Sequence, residues 1–266
     1  MTDVAATEIK DGPDRRLRVF LQRCVLFGIL LGLWWVTSIS SPPYIFPRPE
    51  LVFDRIVELA QTGDLTYNLL VTLGRVCIGF VIAVILGVPF GIVLGSNRTL
   101  GEFLEPIIPA MNAVSSAIWA IFAILWFGLS EMTPIFVVLM TALPLIATTV
   151  WQGTQAVDAN YVELAQALRF SRAETLMKIY IPSILPYFFS GARLAFGFGW
   201  RVSLVAETLG SASGVGYRLK QASDLIQIDQ VFAWTVVQIL MMLVIEIGML
   251  KPIENYLFRW RRDVRT

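Results

Sequence analysis

Arg75, Arg193, Arg201, Glu207 and Glu246 sit within or beside long apolar runs of this chain. An ionised side chain among hydrocarbon must pair with an opposite charge, reach an interface or face water, so these positions point to ion pairing or anion binding. Arg75 lies near one end of its run and reads as a snorkelling side chain. Arg193 lies near mid-run, where pairing inside the protein is expected. Arg201, beside Trp200, either meets Glu207 or offers its guanidinium to an anion. Asn112, Ser115, Ser116 and Trp119 interrupt another apolar stretch. Such polar groups avoid lipid, so they line a water-filled pathway or hydrogen-bond between helices. With Arg201 and Glu207 they make up the candidate pathway set.

Bond-making chemistry finds little support. The chain has no histidine, which removes the commonest metal ligand and general base. It has neither a G-x-S-x-G motif nor acids clustered at metal-ligand spacing, so no catalytic residue and no metal site are expected. Cys24 and Cys77 fall in apolar stretches and read as small buried hydrophobes rather than a disulfide.

The elements that must position these residues are membrane spans. Residues are 56% hydrophobic and 15% charged, against roughly 25% charged in soluble domains. A bilayer core needs about 20 mostly apolar residues per helix. That length places spans at 19–40, 69–94, 104–127, 133–151, 182–204 and 231–250. The first ends in Trp34 and Trp35 without a small-residue cleavage site and reads as a retained span rather than a targeting segment. The third carries Pro106 and Pro109 at its start, where free N–H groups tolerate proline. Gly87, Gly91 and Gly95, spaced four apart, read as a face for close helix packing. Trp126, Trp151 and Trp260 suit interfacial belts.

Lys10, Arg15, Arg16, Arg18, Arg23, Arg98, Arg169, Arg172, Lys178, Lys251, Arg259, Arg261, Arg262 and Arg265 fall on one side of these spans. Only Arg48, Arg55, Arg218 and Lys220 fall on the other. The positive-inside rule puts both tails, 1–18 and 251–266, in the cytoplasm. On the outer side, Val52, Phe53, Ile56 and Leu59 repeat at helical spacing and predict an amphipathic helix on the membrane surface. Segment 210–230 opens with Gly210, Gly214 and Gly216, which permit a tight or re-entrant turn.

The polar insert at 157–182 stands apart from everything around it. Asn160 with Glu163, and Ser171 with Glu174, predict capping boxes that open two helices, with a bend at 169–171 and an end at 181–182. A loop that merely joined two spans would not need two ordered helices.

The insert resembles the cytoplasmic coupling loop of ABC importer permeases, whose pattern is Glu-Ala-Ala, three residues, Gly, nine residues, Ile, any residue, Leu, Pro. Glu163, Leu164 (for the first Ala), Ala165, Ile179, Ile181 (for Leu) and Pro182 match at full spacing. Ser171 opens the second helix of that loop. Arg169 replaces the Gly, so the bend is expected to be made differently here or met by an adapted partner. Residues 68–80 (NLLVTLGRVCIGF), 123–129 (AILWFGL) and 205–217 (VAETLGSASGVGY) resemble the nitrate, sulfonate and taurine branch, and the likeness covers 51–245. Where that branch has prolines, this chain has Ser115, Ser116 and Ile121.

The resemblance implies an all-α, type I importer permease domain over 19–250 in the bacterial inner membrane, surrounded by lipid. It implies a second permease copy, most simply a homodimer, and a periplasmic or lipid-anchored substrate-binding protein. It also implies separate ATPase subunits that bind ATP and Mg. This chain has no G-x-x-x-x-G-K-[ST] of its own, so no cofactor and no enzyme activity are expected in it, and no nucleic-acid partner. The implied solute is a small anion such as a sulfonate, taurine or nitrate. The alternative is a secondary transporter driven by an ion gradient. That class usually shows two matching halves, and no internal repeat is visible.

Overall fold

Apolar runs bounded by polar or glycine-containing breaks form helices throughout the computed structural model, which describes residues 13–42 and 45–252. The expected tails and Trp260 lie almost wholly or entirely outside the described residues. In order, the helices are α1 (Pro13–Ser40), α2 (Pro49–Gln61), α3 (Asp64–Ser96), α4 (Arg98–Leu104), α5 (Ile107–Ala113), α6 (Ser116–Phe127), α7 (Met132–Gln155), α8 (Ala159–Ala167), α9 (Arg172–Thr175), α10 (Ile181–Gly210), α11 (Val215–Asp224) and α12 (Ile228–Ile245). Two π-helical turns, Leu176–Tyr180 and Glu246–Leu250, precede α10 and follow α12.

Among the described residues, α3, α7 and Ile228–Gly248 are long and apolar enough to cross a membrane. A fourth crossing results if Thr99–Ala113 and Ser116–Phe127 count as one span, but the two meet at 91°. The expected third span is therefore a broken one. Its break is at Val114 and Ser115, both in extended backbone, with the Ser115 hydroxyl capping α6 at Ala117 N–H. At 30 residues α10 is long enough to cross, though it carries Arg193, Arg201 and Glu207.

The core is a three-helix stack with α7 in the middle, packed against α3 and α10. The expected glycine face makes this closeness possible. A Cβ on Gly91 would lie 2.6 Å from the Ala147 carbonyl oxygen, and one on Gly87 would lie 3.2 Å from the Leu143 carbonyl oxygen. The hydroxyls of Thr141, Thr148 and Thr154 donate to carbonyls four residues back, which satisfies them within α7, and Thr154 is buried.

Helix α2 is amphipathic as expected, but its apolar face packs on protein. Val52 and Leu59 are buried with Trp234 of α12, while Phe53 is 65% exposed and points away. Residues 210–230 form a tight turn and then α11, rather than a re-entrant loop. Arg55, Arg218 and Lys220 each pair with a carboxylate: Asp229, Asp64 and Asp224. Cys24 is exposed rather than buried, and Cys77 is half-buried.

Arg75 does not snorkel. Its side chain is 3% exposed and donates to Glu207 Oε1 at 2.8 Å, the Ser213 carbonyl at 2.8 Å and both carboxylate oxygens of Glu131. Glu207 is fully buried and also accepts from the Thr72 hydroxyl and the Gly216 N–H, each at 2.9 Å. Asn68 and Thr72 accept from the N–H groups of Gly214 and Val215. Asn68, Thr72 and Arg75 share one face of α3, and that face grips the turn after α10. Gly214 has φ +101°, and a Cβ there would strike the Glu207 carboxylate at 2.6 Å, so only glycine fits.

Gly91→Ala should lower the thermal-unfolding midpoint in detergent, by about 1–3 kcal/mol of overpacking. Gly74→Ala, whose Cβ would meet nothing within 4 Å, should leave that midpoint unchanged or raised. Arg75→Gln strands the buried Glu207 and should destabilise by roughly 3–5 kcal/mol, with partial recovery when Glu207→Gln is added. Hydrogen bonding to Arg75 holds the Glu131 carboxyl below its ordinary range. Its contribution is therefore complete above the ordinary carboxylate pKa and is lost as pH falls through the lowered one. Glu131→Gln should flatten that acid limb of an unfolding-midpoint-versus-pH curve.

Candidate functional site

The break between α5 and α6 opens onto a cavity of about 350 Å³. Asn112, Ser115, Ser116 and Trp119 lie on its wall, facing Met140, Thr141 and Leu145 of α7 and Phe198 and Val202 of α10. Polar groups at a helix break inside a membrane domain persist where they line a cavity. Arg201 is not on this wall. It is exposed one turn along α10, with its guanidinium 5.9 Å from the Phe198 ring. Glu207 is not on it either. It belongs to the Arg75 cluster, and neither the expected Arg201–Glu207 pair nor a pathway position for Glu207 is formed. Arg193 pairs with Glu246 at 2.6 Å, the pairing inside the protein that its mid-run position called for. Glu131 and Ser213 went unremarked in the sequence, because a single carboxylate in a short connection carries no spacing signal.

The second site is the insert between α7 and α10, the core helices. Its first helix is capped by Asp158, whose carboxylate accepts from the N–H and side-chain amide of Asn160, so the Asn160–Glu163 box does not form. Glu163 and Leu164 are exposed, the latter by 55%, while Ala165 is buried. The helix ends with Phe170 N–H donating to the Ala165 carbonyl across Arg169, which has φ +55°. That is a Schellman turn with arginine at the left-handed position usually given to glycine. The bend is therefore made in the glycine manner, at a steric cost of about 1–2 kcal/mol.

The Ser171–Glu174 box does form. Ser171 N–H donates to Glu174 at 2.9 Å, and Glu174 N–H donates to the Ser171 hydroxyl at 3.2 Å. The Ser171 N–H and hydroxyl, both donating to it, hold the Glu174 carboxyl below its ordinary range. Lys178 pairs with Glu174 and lies 4.5 Å from the Phe170 ring centre, closing the bend from the other side. The second helix does not end at 181–182. It runs through the π-turn straight into α10, with Ile179 half-buried and Ile181 and Pro182 exposed. Tyr161, Leu164, Leu168 and Met177 are each more than half exposed on this polar insert. Large apolar side chains gathered on a polar surface mark a contact with another molecule. Arg169→Gly should slow hydrogen exchange at the Phe170 amide, by roughly 0.5–1 kcal/mol of turn stability after the freedom that glycine adds to the unfolded chain.

A family model described as the binding-protein-dependent transport system inner membrane component matches residues 87–249. The taurine transport system permease protein TauC of Escherichia coli K12 is 26% identical over 90% of this chain and 89% of its own length. The nitrate import permease protein NrtB of Synechococcus elongatus is 32% identical over 76% of each chain. The same fold appears in an inward-facing crystal form of the MetNI methionine ABC transporter, with a TM-score of 0.67 at 16% identity, over 75% of this chain and 99% of that one. With its helical core, its broken span and its capped insert, this chain belongs to the inner-membrane permease components of binding-protein-dependent ABC transport systems, in the sulfonate, taurine and nitrate branch.

Proposed function

We propose that this permease forms the pathway by which a small anion of the sulfonate, taurine or nitrate kind enters the cell, and that a separate ATPase drives it through the insert at 157–182. The exposed apolar residues of the two-helix insert carry the reading. Tyr161, Leu164, Leu168 and Met177 stay more than half exposed within the described chain, and the insert joins α7 to α10. A push on it would reach the helices that wall the Asn112 cavity. Two copies of the chain make the pathway, a substrate-binding protein delivers solute on the outer side, and ATP and Mg stay with the partner. Both tails and the insert share the cytoplasmic side, as the Lys and Arg distribution requires. Arg201 is the cation that draws the anion toward the pathway.

Purification of the tagged chain from its native membranes tests the coupling. A Walker-motif ATPase should come with it, and Glu163→Lys should reduce its recovery roughly tenfold, equivalent to about 1.4 kcal/mol of docking energy. Uptake into vesicles should follow internal ATP and added binding protein and survive collapse of ion gradients. Uptake by the chain alone on an ion gradient would instead make it a secondary transporter. Arg201→Gln should weaken the apparent affinity for the anion. Unchanged affinity would remove Arg201 from the pathway.

A further inference from the structure

Helices α3 and α10 both pack on α7 but meet each other along much less of their length. Where they part, a groove runs between them in two adjoining stretches of about 420 Å³ and about 410 Å³, which share Val84, Ile85 and Phe188. Cys77 on α3 and Phe196 on α10 line one end of it. Ile92 and Ile181 line the other end, beside the insert. Each wall therefore spans about 22 Å at the helical rise. Phe80 and Phe196 meet edge-to-face at 5.4 Å, which brings the two helices together near the Cys77 end.

Among the described lining residues Arg193 alone is charged, and Glu246 already holds it at 2.6 Å. The other walls are apolar apart from the Cys77 thiol. Water needs about two to four polar partners to settle in a cavity, and these walls do not offer them. Left unfilled, the groove would forfeit dispersion contacts along both helices. Val81 and Ile85 line it and are also more than half exposed, so it opens onto the outward surface of α3. In an inner-membrane component whose α3 is long and apolar enough to cross, that surface meets hydrocarbon. The two volumes divided by the ~22 Å length give a mean cross-section of roughly 40 Å². A helix about 10 Å across occupies about 80 Å². A helix from a second copy would have to spread α3 and α10, whereas a single hydrocarbon chain enters them as they stand.

We infer that this groove is a binding site for one acyl chain of a membrane phospholipid, which enters beside Ile92 and Ile181 and runs toward Cys77. The chain supplies the apolar contact that α3 and α10 do not give each other there. A hydrocarbon core is about 30 Å thick, so a groove of ~22 Å takes a full-length chain from the leaflet on the side of the insert. A short chain leaves the Cys77 end empty. The site therefore selects by chain length, and it stands or falls independently of the solute and its driving force.

Cys77 reports on the groove that it lines, and Cys24, exposed on α1, serves as the control. The purified full chain, freed of lipid in digitonin, is titrated with dioleoyl- or dihexanoylphosphatidylcholine and alkylated with N-ethylmaleimide. Peptide mass spectrometry then follows each cysteine. The dioleoyl lipid should slow alkylation of Cys77 saturably, roughly tenfold once it exceeds its dissociation constant by about that factor, and leave Cys24 unchanged. The dihexanoyl lipid should protect neither. Val84→Trp puts an indole where the two stretches join and should weaken protection by the dioleoyl lipid roughly tenfold. Leu86→Trp, on an exposed part of α3 outside the groove, should not. If Val84→Trp does not fold, Val81→Phe makes the same comparison. Equal protection by both lipids, protection undiminished in the folded groove variant, or alkylation of Cys77 indifferent to lipid would overturn the site. A Cys77 that stays unreactive in the lipid-free chain would overturn it too, and would give the groove to a protein segment instead.

Discussion

The architecture depends on one buried cation. Arg75 spends its donors on carboxylates and a serine brought together from α3, the end of α10, the turn after it and the connection before α7. A buried guanidinium left unpaired is far more costly than one fully paired, so these elements hold or separate as a set. Glu207 faces the same constraint from the other side, since its desolvated carboxylate is tolerable only with Arg75, Thr72 and the Gly216 N–H in place. The start of α3 and the end of α10 are thus fastened by polar bonds, while the middles of the stacked helices are held by close apolar packing.

That packing gives α7 its role. With glycine on α3 and a glycine on each side of the α7–α10 contact, backbones approach closely enough for threonine hydroxyls and carbonyls to meet neighbouring helices. A helix gripped on both sides transmits displacement instead of absorbing it, because well-packed interiors are barely compressible. The insert is attached directly to α7 and, through a continuous π-turn, to α10. Its bend is fixed by a Schellman turn, a capping box and the Lys178–Phe170 contact.

Both polar cavities lie along α10, which presents Phe198 to each. One is opened by the break in the third span and lined with amide and hydroxyl groups. The other is a groove between α10 and α12 lined by Arg193, Arg201 and Glu246. Side chains one turn apart on a single helix therefore face different chemistry, and movement of α10 would change both together.

Residue spacing alone carries the helical membrane fold, the polar insert with its Ser171–Glu174 cap, the packing role of Gly87 and Gly91, and the grouping of Asn112, Ser115, Ser116 and Trp119. Each of these is written in local spacing: caps act over three residues, packing faces repeat every four, and apolar length sets a span. Only the tertiary structure decided which charges meet. Arg75 and Glu207 lie 132 positions apart, and nothing local distinguishes a snorkelling arginine from a buried one. The partner of Glu207 could not be told from Arg201 by proximity along the chain, because Arg201, two turns away on the same helix, points to a different side. Arg169 takes the left-handed turn that glycine usually fills, closed by the Phe170–Ala165 bond, and that geometry appears only in the folded chain. Local periodicity reports what a helix can bury, whereas Coulomb and desolvation energies depend on distances that only the packed chain sets.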